Sequence, residues 1–201
     1  LAISYCMSGM FNRLKLPKEV VDDYWQASLC KGVAARVYVG AFDASLEDEA
    51  FMACLFQDMA LPVIHAVAGA ELTDILRDKN LGAVSQLSAE GARLGTNHAQ
   101  VGRLVALKLE LPDSYANAVG HHHDADRLAA TVYPKVLANA IRVASFFPHL
   151  PDLWHTSDTE ALAACLQERW LHSQAPCTAA LRAECWTWSR PSATRQIQRH
   201  G

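Results

Sequence analysis

Apolar residues along this chain recur three and four positions apart, and the two-residue alternation of a half-buried strand is absent. That spacing confines the chain to helices packed on helices, so the expected fold class is all-α. The first long helix is expected to open at Pro17, whose ring suits a first turn, and to carry Val21, Trp25, Leu29, Val33 and Val37 on one side. A second is expected from Ser45 as its cap, with Glu47, Asp48 and Glu49 favourably set against the helix dipole, running through AFMACLFQD to an interruption near Pro62. Short helices are expected over residues 71–78 and 84–93, with Gly95 as a stop. Asn97, with Gln100 three residues on, caps a helix that ends before Leu111-Pro112. A long helix is expected over roughly 127–147, and Ser157 with Glu160 forms a capping box for one more.

At 201 residues, 51% hydrophobic and 19% charged, the chain can bury the core of one domain. A net charge of -3 gives no general pull toward nucleic acid or acidic lipid, and no apolar run is long enough to span a bilayer. Neither a nucleic-acid nor a membrane partner is expected. The six cysteines (Cys6, Cys30, Cys54, Cys165, Cys177, Cys185) stand singly with no CxxC pair, which suits reduced thiols in a cytoplasmic setting. After residue 173 the composition turns basic and polar, ending in SRPSATRQIQRHG, the composition of a disordered terminus.

Chemistry concentrates in VGHHHDAD, residues 119–126, where three histidines and two aspartates fall within eight residues. Imidazole and carboxylate bind zinc, iron or manganese, yet neighbouring side chains diverge and cannot close a coordination shell by themselves. Partners from other helices are needed, and two places offer them: Asp58 after the apolar run LFQD, and His98 in the first turn of the Asn97-capped helix. Read as structure alone, Asp58 could cap a helix, His98 could pack in its turn, and the three histidines could be a polar helix end at the surface. His65 reads as a satisfied helical histidine, Cys54 as inert core, and Trp25 as core. Trp154, Trp170, Trp186 and Trp188 read as packing or tail residues. GxSxG, P-loop and dinucleotide motifs are absent.

Taken in order, four stretches resemble the HDOD family, an offshoot of the HD-domain phosphohydrolase superfamily in bacteria. They are DDYWQASLCKGVAARVY, EDEAFMACLFQDMALPVI, SAEGARLGTNHAQVGRLVALKLELP and NAVGHHHDAD, of which the third places Glu90, Gly95, His98, Ala99, Val101, Gly102 and Pro112 at the family's spacing. The paired histidines of the family align with His122 and His123. The resemblance implies an HD-superfamily helical bundle over residues 1–150, without the family's usual N-terminal lobe, which would precede residue 1. An additional helix over 151–173 and a tail over 174–201 complete the expected organisation.

An active HD phosphohydrolase holds its metal with a first-helix histidine, a His-Asp doublet and a late aspartate. The resemblance puts Ala27, Gln57-Asp58 and Asn139 at those positions. Ala27 has no donor, and the amides of Gln57 and Asn139 bind transition metals far more weakly than imidazole or carboxylate. A bound water would then be hard to ionise, and phosphoester hydrolysis depends on it. The expected function is accordingly a non-catalytic signalling module with no required cofactor, contacting other signalling proteins or domains, or a small ligand in a pocket of Gln57, Asp58, His98, His122, His123 and Asn139. The alternative is a metal-dependent phosphohydrolase for nucleotides or cyclic dinucleotides, with a divalent ion at Asp58, His98, His122 and His123.

Overall fold

The computed structural model describes residues 13–78, 80–132 and 134–150. Eight α-helices follow one another over these residues: α1 Lys18–Gly40, α2 Glu47–Leu55, α3 Leu61–Leu76, α4 Ala83–Leu94, α5 His98–Lys108, α6 Asp113–His121, α7 Ala125–Thr131 and α8 Lys135–Ala144. No strand occurs among the described residues, and no helix is long and apolar enough to cross a membrane. The all-α reading holds. The expected helix over 151–173 with its Ser157/Glu160 box, the tail, and the four later tryptophans lie outside the described residues.

Local chemistry explains most boundaries. Asn97 accepts a hydrogen bond from the Gln100 amide at 3.0 Å to open α5, and Asp124 accepts from the Arg127 amide at 3.0 Å to open α7. Gly95 closes α4 in the left-handed region at φ 74°. Three expectations are corrected. Asp43, not Ser45, caps the helical turn Ala44–Leu46 before α2, accepting from both the amide and the hydroxyl of Ser45. The helix expected from residue 71 begins at Leu61 and kinks at Ala68, whose backbone leaves the helical region. The single helix expected over 127–147 is two, because Pro134 has no N–H to continue α7 and instead starts α8.

The inward face of α1 also differs from expectation. Val21, Trp25, Leu29, Val33 and Val37 are only half-buried, while Tyr24, Ala27, Ser28, Lys31, Ala34, Ala35 and Tyr38 face the interior. Small residues let α2 approach closely: a Cβ on Gly32 would stand 3.0 Å from the Phe51 ring and 3.1 Å from its carbonyl. Trp25 and Val21 flank the core formed by Phe56, Met59, Ala106, Ala116 and Val119.

The run from Ala53 to Leu61 ties the molecule together. Ala53 and Cys54 join the core of α1, α2 and α8; Phe56 and Met59 join that of α5 and α6; Ala60 and Leu61 pack with Tyr24, Ile64, Leu72, Leu76 and Leu150. Gln57 and Asp58 are the polar residues inside that run, so Asp58 is held between three packed clusters.

Overpacking the α1–α2 contact should be costly: Gly32→Val is expected to lower stability by about 1–3 kcal/mol. Gly91→Ala, on a helix position with open space around it, is expected to raise stability by about 0.5–1 kcal/mol. Urea denaturation midpoints moving in opposite directions for the two variants check both.

Candidate metal and ligand centre

Asp58 lies in the turn between α2 and α3, His98 opens α5, and His122 and His123 form the tight turn between α6 and α7. These elements converge, and all four side chains are buried. The surface alternative for the histidine cluster therefore holds only for its first member, since His121 is half-buried while His122 and His123 point inward. The Nε2 atom of His98 lies 3.2 Å from that of His122 and 3.2 Å from that of His123.

Two partners fix which ring atoms carry protons. A carboxylate oxygen can only accept, so His98 donates from Nδ1 to Glu90, 2.8 Å and 2.9 Å from its two oxygens; Glu90 also accepts from the His98 amide at 2.7 Å. A carbonyl can likewise only accept, so His122 donates from Nδ1 to Val119 O at 2.6 Å. In the neutral rings, both Nε2 atoms therefore present lone pairs to each other. Asp58 Oδ1 stands 3.8 Å and 3.7 Å from these same atoms and has no hydrogen-bond partner among the described residues.

Two residues that sequence reasoning missed complete the cluster. Lys31, fully buried on α1, forms an ion pair with Asp58 Oδ2. His149, just after α8, donates from Nδ1 to the same oxygen at 2.9 Å, and its ring centre lies 5.0 Å from that of His98. The sequence did carry signals for both. Lys31 is the one charged residue on a helix face of small residues, four positions after Ala27, and His149 sits in FFPHL, an apolar setting for an imidazole.

The remaining expected residues are placed elsewhere. The Gln57 amide donates to Ile141 O at 2.7 Å and to Cys54 Sγ at 3.8 Å, and its buried Oε1 has no hydrogen-bond partner among the described residues. Asn139 is half-buried on α8 and makes none of the cluster's polar contacts. Ala27 is buried and adds no donor. His65 on α3 meets the Tyr24 hydroxyl at 3.0 Å, the satisfied helical histidine anticipated for it. Cys54 is a buried free thiol whose pKa burial pushes far up, consistent with inert core.

The residues present fit a single divalent ion. Zinc–nitrogen bonds of about 2.0–2.1 Å in a tetrahedron put neighbouring donors roughly 3.3 Å apart, close to the observed Nε2 spacings. The Nε2 atoms of His98, His122 and His123 form one group of donors, with Asp58 Oδ1 3.8 Å and 3.7 Å from the first two, and Glu90 orients His98 from behind. When bound there, such an ion supplies positive charge to the orphaned carboxylate oxygen and the opposed lone pairs.

Burial dominates the electrostatics of the imidazoles, lowering the pKa of His122, His123 and His149. Burial would raise Asp58, but Lys31 and His149 outweigh it and hold its carboxyl well below the usual range.

This arrangement is an all-α helical bundle built around a buried cluster of histidines, a carboxylate and a lysine. The HDOD domain family model matches residues 1–125. The chain belongs to the HDOD family. It is also similar to a solved HDOD domain protein of unknown function from Geobacter sulfurreducens, with a TM-score of 0.54 and 17% identity over 83% of this chain. The match covers 62% of that protein, so this chain spans about three-fifths of its length. Comparison with curated proteins found no match. His149 lies beyond the family-matched residues, which is why the family pattern gave no indication of it.

The buried imidazoles make stability pH-dependent. Their folded pKa values lie below the unfolded value of 6.5, so the unfolded chain takes up protons first as pH falls. Stability from this source is complete above that value and drains away below it, by about 1.4 kcal/mol per pH unit for each histidine that stays neutral. Denaturant titrations of chelator-treated protein between pH 7.5 and 5 should show this slope, and His123→Asn should reduce it. Lys31→Ala, which leaves the buried Asp58 carboxylate without its counter-charge and bonded only to His149, is expected to cost about 3–5 kcal/mol at neutral pH in the same assay.

Proposed function

We propose that this chain is a non-catalytic regulatory module of bacterial signal transduction, acting through contact with other signalling proteins or domains. The observation that carries this reading is the closure of the cluster: Lys31, Asp58, His98, His122, His123 and His149 are each at most 8% exposed. Hydrolysis of a phosphoester requires the scissile phosphate and an ionised water to meet at the metal. Here Asp58 Oδ2 is occupied by an ammonium and an imidazole, and Gln57 is tied to α8. The convergent donors favour ion or small-ligand binding, while the buried setting disfavours turnover.

A module of this kind acts by a change in helix packing that a partner reads. The cluster joins α1, the α2–α3 turn, α5, the α6–α7 turn and the segment after α8, so a change of charge within it bears on all of them. The free thiols of Cys30 and Cys54 suit a reducing cytoplasm.

A phosphoester panel of nucleotides and cyclic dinucleotides, assayed with added manganese or iron, is expected to show no turnover above buffer. Turnover by the wild-type chain that disappears in Asp58→Ala would establish the phosphohydrolase reading instead.

A further inference from the structure

We propose that Lys31 is a tethered cation that weakens and thereby makes reversible the binding of a divalent transition ion at Asp58, His98, His122 and His123. The inference rests on the cluster's geometry and stands whether or not the regulatory reading above is correct.

The two oxygens of Asp58 have different fates. Oδ2 accepts from both Lys31 and His149, whereas Oδ1 faces the Nε2 atoms of His98 and His122 without a partner. Lys31 thus satisfies one side of the carboxylate and leaves the other side, with the opposed lone pairs, for an ion. A protonated lysine has three donors and no acceptor, so it cannot itself enter the coordination shell. Its role is electrostatic: it places one positive charge against the only acidic donor of the set.

That charge acts in the interior, where neither salt nor water screens it effectively. Glu90 partly offsets it through the Nδ1 side of His98. A divalent ion entering beside Asp58 therefore meets the four donors together with a repulsive ammonium fixed across the same carboxylate. Ala27 and Lys31 stand one turn apart on the inward face of α1, so this helix presents a methyl group and an ammonium to the interior and adds no ligand. The same fold carrying a neutral residue at position 31 would hold the ion far more tightly.

Zinc titration by calorimetry, with cobalt(II) absorption as an independent report on coordination, tests this on the full chain. Wild type is expected to bind one ion that dialysis removes. Lys31→Gln keeps a donor for Oδ2 and so preserves the fold, which makes it the deciding variant. It is expected to bind zinc about tenfold more tightly or better. Lys31→Met should do the same, and its thermal unfolding should be shifted upward by zinc more than that of wild type. Asp58→Asn added to Lys31→Gln should abolish the gain, which places the ion at this cluster. A helical Lys31→Gln protein with zinc affinity equal to or below wild type would overturn the proposal, as would a gain that survives Asp58→Asn. Phosphoester turnover plays no part in these readouts, so the proposal and the regulatory reading can fail separately.

Discussion

The structure depends on one buried carboxylate. Asp58 is fixed in the turn between α2 and α3 because its neighbours enter three different packed clusters, and its charge is met by Lys31 from α1 and His149 from beyond α8. An isolated ionised carboxylate in such a position would be untenable. The ion pair with Lys31 and the hydrogen bond from His149 hold it charged, and in doing so pin the first helix and the last described segment to the middle of the bundle. His98 and His122 then face the oxygen that these partners leave free, with His123 packed against His98.

The ion pair thereby gives the middle of the bundle a defined polar interior. Ala27 has no donor and Gln57 carries no charge, so neither gives Asp58 compensating charge. Lys31 supplies it from one turn along the same helix, and Gln57 finds a different role by bonding to α8. Buried ion pairs are weak evidence for net stability, but removing one member leaves an uncompensated charge, so the pair is hard to lose once acquired.

The helical class, the Asn97 cap and the Gly95 stop were legible in the sequence, and family spacing pointed to Asp58, His98, His122 and His123, of which the structure sets the three imidazoles together and Asp58 beside His98 and His122. Lys31 and His149 were marked only by their small-residue and apolar settings. A lysine is ordinarily a surface residue, and nothing in spacing alone says that the apolar stripe of α1 would stay half-exposed while its small and polar residues turned inward. That choice is made by close packing of α2 against Gly32, a tertiary effect. His149 escaped notice because it follows the matched family segment and stands alone. The division of residues 127–147 into two helices was foreseeable from Pro134, whereas the role of Asp43 as cap reflects competition between two suitable residues two positions apart.

The most direct test of this account is nitrogen-resolved NMR of the imidazoles in chelator-treated protein at neutral pH, which reads the tautomer of each ring. The account predicts that His98 and His122 are locked as Nδ1–H tautomers with lone pairs on Nε2, held by Glu90 and Val119 O. Rings that populate the Nε2–H tautomer, or that average between tautomers as surface histidines do, would contradict it.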